Sequence, residues 1–219
     1  EARGTLEVST TQIDVTMAMM ICDAYAALAL LADNPKIDAK RVAIAGWSLG
    51  GGMATYAAWL PIAEKLSENG RRFAAHMPVY PATHIKVEDN RWSNAPMCTL
   101  MGEAEDYTPA APAVELTDDI NAHGGNAEII LYPESYHSFD STDELTFLPD
   151  VIALPPTRNI TVTADGRMMT DKGVDVSSRE ARIEGFATMT KRGAHIGGNP
   201  AMRKRAFADA KAFMTRTLL

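Results

Sequence analysis

The sequence is poor in cysteine and has no long hydrophobic run. Its two cysteines, Cys22 and Cys98, give no disulfide framework and do not fix a redox compartment. Both lie inside apolar segments, which predicts buried thiols. The longest apolar stretch, residues 26–32, is too short to cross a bilayer. The chain begins at Glu1 rather than at a methionine, so the sequence reports neither a signal peptide nor a localisation, whether cytoplasmic, periplasmic or secreted.

An excess of positive charge is also absent. The formal net charge is −7 and the isoelectric point is near 5.2, which argues against an electrostatic role on nucleic acid or on an anionic membrane. The basic residues at 191–192 and 203–205 are typical of a solvated helix face. With 219 residues and 46% hydrophobic side chains, the chain suits one folded domain, and it has no internal repeat or low-complexity segment.

Strand-like and helix-like segments alternate along the chain. Short apolar runs at 41–45, 73–80, 96–101 and 127–132 predict buried strands. Helical patterns cover 14–32, 49 to about 60 with a further turn through 66, 111–123, and about 201–218. This alternation predicts an α/β fold, with a mostly parallel sheet and helices on both faces, in a single domain over residues 1–219.

One segment interrupts this alternation before the last helix. Residues 141–200 contain two alternating runs, 159–163 and 168–170, joined through Asp165-Gly166, which is a hairpin signal. We therefore expect a hairpin-containing insertion that covers or extends the sheet. An edge hairpin is the simpler interpretation, and a lid over the site is the alternative.

The pentapeptide Gly46-Trp47-Ser48-Leu49-Gly50 has the G-x-S-x-G pattern and lies between a predicted strand and a predicted helix. This is the context of a nucleophile elbow, in which a sharp turn lifts a serine hydroxyl above the sheet. The glycines leave room for the turn, and the helix N-terminus offers backbone N–H groups to a developing oxyanion. Ser48 is thus the candidate nucleophile, and the N–H of Leu49 is a candidate oxyanion donor.

A serine nucleophile needs a base within hydrogen-bonding distance and an acid that orients this base. In folds with this elbow, the acid follows the serine along the chain and the histidine comes last. The loop 102–109 follows the third predicted strand, at the sheet edge where ligands collect. It offers both Glu105 and Asp106 as the acid, whereas Glu103 is less well placed.

Five histidines compete for the role of the base. His137 comes just after the fourth predicted strand, at the same sheet edge as the serine and the acidic loop, and it is the favoured candidate. His195, in a glycine-rich segment, is its rival. His76 lies inside an apolar strand and is typical of a core histidine, His84 has no partner motif, and His123 closes a helix, where its ring favours the helix dipole.

Four of these segments together resemble the dienelactone hydrolase family of the α/β-hydrolase superfamily. They are residues 46–51, the loop 102–109, Tyr132-Pro133 with His137-Ser138-Phe139, and Gly193-Ala194-His195 through Asn199-Pro200. The resemblance extends from about Asp14 onward and is weakest at 141–192. It implies a hydrolase of esters or lactones that uses a serine, an acid and a histidine, with no metal and no cofactor.

The chain departs from this family at the nucleophile and at the acid. The founding members use a cysteine, whereas this chain has Ser48, so their particular lactone substrate is not carried over. Counting from Gly102 and from Pro109 places the acid of the family on Glu105. Asp106, one position later, has the usual residue type, and both residues stay candidates.

A third departure concerns the chain before Asp14. The fold normally has several strands and a helix there, with a loop that supplies one oxyanion donor, but only about a dozen residues precede Asp14. We therefore expect the N-terminal strands to be missing from this sequence. An N-terminal portion outside it is the favoured explanation. A fragment that pairs with another chain, as in a homo-oligomer, and a degenerate fold that binds without catalysis are the alternatives.

The sequence thus predicts a serine hydrolase that cleaves a small-molecule ester or lactone through an acyl-enzyme, with no nucleic-acid or membrane partner. A prolyl-oligopeptidase-like peptidase and a non-catalytic binding protein of the same fold are the alternative functions.

Overall fold

The computed structural model describes residues 14–219, without the side chains of residues 68, 186 and 189. The expectation about strands before Asp14 therefore lies outside the described residues. In chain order, the elements are α1 (Met17–Ala32), β1 (Ile44–Trp47), α2 (Leu49–Tyr56), α3 (Leu60–Leu66), β2 (His76–Val79), β3 (Ile85–Val87), β4 (Met97–Gly102), α4 (Ala110–Ala122), β5 (Ala127–Tyr132), β6 (Thr146–Ala153), β7 (Ile160–Val162), β8 (Met168–Thr170), α5 (Arg179–Met189), β9 (Lys191–Ile196) and α6 (Pro200–Leu218).

A four-stranded parallel sheet in the order β1-β2-β4-β5 forms the centre of the fold. Trp47 at the end of β1 lies opposite Val79 at the end of β2, and Gly102 of β4 lies opposite Tyr132 of β5. The strands therefore end at one edge, which is where ligands bind in open parallel sheets. The predicted α/β fold with a mostly parallel sheet is confirmed.

Helices pack on both faces of this sheet. Ile44 belongs to an apolar cluster with side chains of α1, α2 and α4, whereas its neighbours Ala43 and Ala45 pack against a second cluster that includes Phe213 of α6. Successive side chains of a strand point to opposite faces, so these two clusters cover the two sides of the sheet. Among the residues that the structure describes, no helix is long and apolar enough to cross a membrane.

Several element boundaries differ from those that the sequence predicts. The strand predicted at 41–45 begins later, at Ile44, because Asp38 caps a 3₁₀ turn over Ala39–Arg41. The first helix begins at Met17 rather than at residue 14, because the side chain of Thr16 accepts a hydrogen bond from the Met19 N–H and acts as the N-cap. The second strand is shorter than 73–80, and the helix after Ser48 ends at Tyr56, before α3 begins.

The prediction that both thiols are buried is wrong for Cys22. Cys98 lies in β4 and is fully buried, and burial raises the pKa of its thiol to about 11. Cys22 is exposed. The buried side of α1 carries Ile21, Tyr25 and Leu28, which lie four and three residues apart, so Cys22 is turned about 100° away from that side.

The hairpin predicted at Asp165-Gly166 is present, but not on an edge of the central sheet. Strands β7 and β8 pair in antiparallel fashion, and Gly166 has a φ of +87° in the turn between them. β7 also pairs with β3, so the hairpin completes a separate three-stranded sheet in the order β3-β7-β8. β6 and β9 form a two-stranded antiparallel ribbon of their own. The division of the chain at 141–200 stays a prediction.

Candidate active site

Ser48 occupies a strained turn between β1 and α2. Its φ of 56° and ψ of −119° lie outside the regions that a residue with a side chain usually adopts. Three backbone hydrogen bonds fix this conformation: Ser48 N–H donates to the Val79 carbonyl at 3.0 Å, and the Ser48 carbonyl accepts from Gly52 at 3.0 Å and from Ala82 at 3.2 Å. The serine is therefore held at the carboxyl edge of the sheet, as in a nucleophile elbow.

The glycines of the elbow are required to different degrees. A Cβ on Gly46 would lie 2.0 Å from the Gly50 carbonyl oxygen, so only glycine fits at position 46. A Cβ on Gly51 would lie 2.8 Å from the Val79 carbonyl oxygen. A Cβ on Gly50 would meet nothing within 4 Å. The close approach of β1 to the start of α2 thus depends on Gly46 and Gly51.

Ser48, His137 and Glu105 form a continuous chain of polar contacts. His137 Nε2 lies 2.9 Å from Ser48 Oγ, and His137 Nδ1 lies 3.0 Å from Glu105 Oε2. The carboxylate can only accept, so Nδ1 carries the proton and the Nε2 lone pair faces the serine hydroxyl. This is the tautomer that a base needs in order to take a proton from the hydroxyl.

Backbone donors hold the carboxylate of Glu105 in place. Its second oxygen, Oε1, accepts hydrogen bonds from the N–H groups of Tyr107 at 2.9 Å and Thr108 at 3.1 Å. The residue is only 6% exposed, and His137 is 3% exposed. Because both carboxylate oxygens have N–H partners, the buried charge is compensated inside the protein.

Two tyrosine rings enclose the imidazole of His137. The ring centroids of Tyr80 and Tyr107 lie 4.6 and 4.5 Å from that of His137. Tyr80 OH donates to Asp140 Oδ1 at 2.8 Å, and Trp47 Nε1–H donates to Asp140 Oδ2 at 2.8 Å. Burial, and then the carboxylate of Asp140, raise the pKa of Tyr80, so its hydroxyl stays a donor. Asp140 thus connects Trp47, which precedes Ser48, to Tyr80, whose ring packs against His137.

Tyr80, Tyr107 and Asp140 were not predicted as site residues from the sequence. Asp140 comes three residues after His137 and carried a weak signal, since it is an acid on the same loop as the predicted base. Its two donors, Trp47 and Tyr80, come from the ends of other strands, and no sequence spacing predicts that they meet Asp140. The tyrosines follow β2 and β4, and only the sheet order brings them to the histidine.

The two acids that the sequence left open have different partners. Glu105 contacts His137, whereas Asp106 contacts His195, the rival histidine. Asp106 Oδ2 lies 2.8 Å from His195 Nδ1, and Asp106 Oδ1 accepts from the His195 backbone N–H at 2.9 Å. The structure therefore contains two adjacent acid–histidine pairs, and the Glu105 pair is the one that contacts Ser48.

The remaining histidines are His76 and His123, which contact backbone carbonyls of helices, and His84, which lines the same cavity as Leu49. His76 is buried in β2 beside the Ala54 carbonyl, with 2.8 Å between Nδ1 and the oxygen, and burial lowers its pKa to about 4. Burial also lowers the pKa of His84 to about 4. His123 Nδ1 lies 2.8 Å from the Asp119 carbonyl at the end of α4. His76 and His123 thus have the structural settings that the sequence predicts.

Leu49 is the first residue of α2, so its N–H has no acceptor within the helix and is positioned like an oxyanion donor. Its side chain lines a cavity of about 320 Å³ between α1, α2 and the β3-β7-β8 sheet. Most of the wall is apolar and includes Met17, Tyr56, Ile85 and Ile160. Among residues 14–219, no three His, Cys, Asp or Glu side chains gather so that they could hold a metal ion.

Comparisons with solved structures give similarities over about half of each chain. The apo form of Thermogutta terrifontis esterase 2 is 16% identical, with a TM-score of 0.47 over 57% of each chain. The propionate-bound form of this thermophilic esterase is 18% identical, with a TM-score of 0.46 over 58% of each chain. MGS-M1, an α/β hydrolase enzyme from a Medee basin deep-sea metagenome library, is 22% identical, with a TM-score of 0.42 over 54% of this chain and 50% of that chain. None of these similarities identifies a substrate.

The curated proteins contain no match to the sequence. The sequence model of the dienelactone hydrolase family matches residues 6–149, which is more than half of the 219 residues. The matched range contains Ser48, the loop 102–109 and His137. The chain therefore belongs to the dienelactone hydrolase family and has an α/β-hydrolase fold.

Proposed function

We propose that this protein is a serine hydrolase that cleaves carboxylic esters or lactones through an acyl-enzyme. The observation that carries the proposal is the contact chain from Ser48 Oγ through His137 to Glu105, at 2.9 and 3.0 Å, on an elbow at the carboxyl edge of the sheet. Family membership supports the same reaction class.

In the first half-reaction, Ser48 Oγ attacks the ester carbonyl carbon while its proton moves to His137 Nε2. The carboxylate of Glu105 stabilises the imidazolium that forms. The tetrahedral intermediate collapses when the bond to the leaving alkoxide breaks and His137 returns the proton to that oxygen. The alcohol leaves, and the acyl group stays on the serine as an ester; with a lactone, the new hydroxyl remains attached to this acyl group.

In the second half-reaction, water takes the place of the alcohol. His137 removes a proton from water, the resulting hydroxide attacks the acyl carbon, and the bond to Ser48 Oγ breaks with proton return from the histidine. The products are a carboxylic acid and the free enzyme. In both steps the oxyanion accepts a hydrogen bond from the Leu49 N–H, and such a donor typically lowers the barrier by about 2.7–4 kcal/mol.

The cavity beside Leu49 supports a substrate with an uncharged, apolar part. Its volume of about 320 Å³ is at the lower end of typical ligand pockets, which are mostly apolar with a few polar groups. We therefore propose that the apolar part of the ester occupies this cavity, which the site reaches through Leu49.

The test is labelling of the full natural protein with a fluorophosphonate, followed by peptide mass mapping. We expect one adduct on Ser48, which is lost in Ser48→Ala and in His137→Ala. His123→Ala is the matched control, because this exposed histidine lies at the end of α4 and should keep full labelling. A folded protein that gives no adduct would contradict the proposal and favour a binding protein. Faster cleavage of aminoacyl amides than of short esters would favour a peptidase.

A further inference from the structure

The second acid–histidine pair joins two segments that are far apart in the sequence. Asp106 accepts two hydrogen bonds from His195, one from the backbone N–H at 2.9 Å and one from ring Nδ1 at 2.8 Å. The side chains are 29% and 39% exposed, so the pair is neither buried nor a freely solvated surface pair. The rings of Tyr136 and Phe147, at 4.9 and 5.0 Å between centroids, fix the plane of the His195 imidazole.

Both partners of this pair lie next to the proposed triad along the chain. Asp106 is adjacent to a triad member, and His195 is adjacent to a residue that contacts one. Asp106 directly follows Glu105. On the other side, Ile196 forms a β-bridge with His137, and Gly197 N–H donates to the His137 carbonyl at 2.8 Å. A closed ring of five links results: the two acid–histidine contacts, two steps along the backbone, and the β-bridge between Ile196 and His137. The ring fixes the acid and the base relative to each other.

The contact between Asp106 and His195 adds to the other attachments of the loop that carries Glu105. The loop lies between β4 and α4, and the carboxylate is oriented by N–H groups of that same loop. These local hydrogen bonds orient the carboxylate, and the Ala104 N–H attaches the start of the loop to the Ser135 carbonyl at 3.1 Å. The bond from Asp106 to β9 connects the loop to the strand that holds the backbone of His137.

We propose that Asp106 and His195 are positioning residues, a clasp that holds Glu105 against His137. The proposal rests on the proposed function for its effect on catalysis, because the clasp touches no reacting atom. A displacement of a catalytic group by about 1 Å can lower a rate about 100-fold. The clasp also gives a role to the segment 193–195 and to the acid that the triad does not use.

Three substitutions separate positioning from a direct role. Asp106→Ala removes both hydrogen bonds, and we expect kcat to fall about 10- to 100-fold with KM changed less than about twofold. His195→Ala keeps the backbone hydrogen bond, so its loss should be smaller. Asp106→Asn keeps an acceptor for the backbone N–H, and its amide can donate to Nδ1 of a neutral His195. We expect this variant to stay within about threefold of the wild type.

A double-mutant cycle of Asp106 and Glu105 distinguishes positioning of Glu105 from a merely structural role. If the clasp acts through Glu105, Asp106→Ala lowers kcat in the wild type but has no further effect in Glu105→Gln. Glu103→Ala, an exposed acid on the same loop, is the matched control and should keep the wild-type kcat. Equal losses in both backgrounds, or an Asp106→Asn variant as inactive as Glu105→Gln, would overturn the proposal.

Proton NMR tests the clasp independently of turnover. The Nδ1 proton of His137, which faces a carboxylate, should give a low-field signal that is absent in Glu105→Gln and in His137→Ala. We expect this signal to broaden or vanish in His195→Ala and in Asp106→Ala, and to persist in Asp106→Asn. An unchanged signal in the two alanine variants would refute the clasp. Absence of a Ser48 adduct in the wild type would instead refute the proposed function.

Discussion

Replacing Glu105 with glutamine tests the proposed triad, because it exchanges a carboxylate for a neutral amide of the same shape. In the wild type, Oε1 accepts from the N–H groups of Tyr107 and Thr108, and Oε2 faces His137 Nδ1. The amide oxygen of the glutamine can keep the two backbone hydrogen bonds. Its NH₂ group then faces the imidazole, where the wild type has an acceptor.

The structure determines which orientation this amide takes. Turning the oxygen toward His137 would leave the N–H groups of Tyr107 and Thr108 facing an NH₂ group. It would therefore lose two hydrogen bonds, each of which contributes about 0.5–1.5 kcal/mol. The favoured orientation points NH₂ at Nδ1, so His137 takes the tautomer that has its proton on Nε2. That nitrogen can no longer accept the proton of Ser48.

The size of the expected fall in kcat follows from the tautomer of His137. An acid-to-amide change that stabilises the wrong tautomer in a serine triad lowers kcat about 10⁴-fold. At 1.36 kcal/mol for each factor of ten, this corresponds to about 5.4 kcal/mol of barrier. We expect a loss of this order for Glu105→Gln, with little change in the free energy of unfolding, because the residue keeps its shape and its two backbone hydrogen bonds.

The assay is hydrolysis of 4-nitrophenyl acetate by the full natural protein, together with the rate of fluorophosphonate labelling of Ser48. Both rates should fall together, since both need proton transfer to His137. Glu103→Gln, on the same loop and exposed, serves as the control for a change of charge. A Glu105→Gln enzyme that keeps more than about a tenth of the wild-type kcat would refute the tautomer argument.

The strand, turn and helix around Ser48 and the mostly parallel sheet could be predicted from the sequence, because they depend on local patterns and on the alternation of strands and helices. Gly46 and Ser48 show their role through a short motif between an apolar run and a helix. The position of His137 at the same sheet edge as Ser48 could be predicted from the rule that parallel strands end at one edge. Both inferences need only the path of the chain, and not the direction of any one side chain.

The different partners of Glu105 and Asp106 could not be predicted from the sequence. In an irregular loop, neighbouring side chains point in directions that depend on each φ and ψ, which the sequence does not contain. The partner of Asp106 lies 89 residues further along the chain, on a ribbon that the sequence does not define. The pairing of β7 with β3 escaped prediction for the same reason, since it joins segments that no local signal connects.

Three further predictions concern the elbow, the core and the cavity. Gly46→Ala should distort the elbow and destabilise the fold by about 1–3 kcal/mol. Gly50→Ala, where a Cβ meets nothing, should stabilise the fold by about 0.5–1 kcal/mol. Denaturant unfolding measures both free energies, and equal effects would contradict the steric argument. Because His76 has a pKa of about 4 in the fold and about 6.5 when unfolded, the unfolded state binds more protons between these values. The free energy of unfolding should therefore fall by up to about 3 kcal/mol as the pH drops from 6.5 to 4, and less in His76→Asn; identical pH profiles would refute this. Ala18 and Ala26 are both exposed on α1, but of the two only Ala18 lines the cavity. Ala18→Leu, and not Ala26→Leu, should therefore raise KM for a hexanoate ester more than for an acetate; equal changes would contradict the proposed use of the cavity.

The different burial of the two adjacent acids gives a physical reason for the different roles that we propose for them. A carboxylate with little exposure keeps its charge only where N–H groups compensate it, and Glu105 has two backbone donors and one imidazole. That low-dielectric setting strengthens its effect on the imidazolium during proton transfer. Asp106 is partly exposed, so water weakens its electrostatic effect, while the direction of its hydrogen bonds to His195 is kept. Charge stabilisation therefore suits the buried acid, and a geometric link between segments suits the exposed one. This division accounts for why Asp106→Asn is expected to be mild where Glu105→Gln is not.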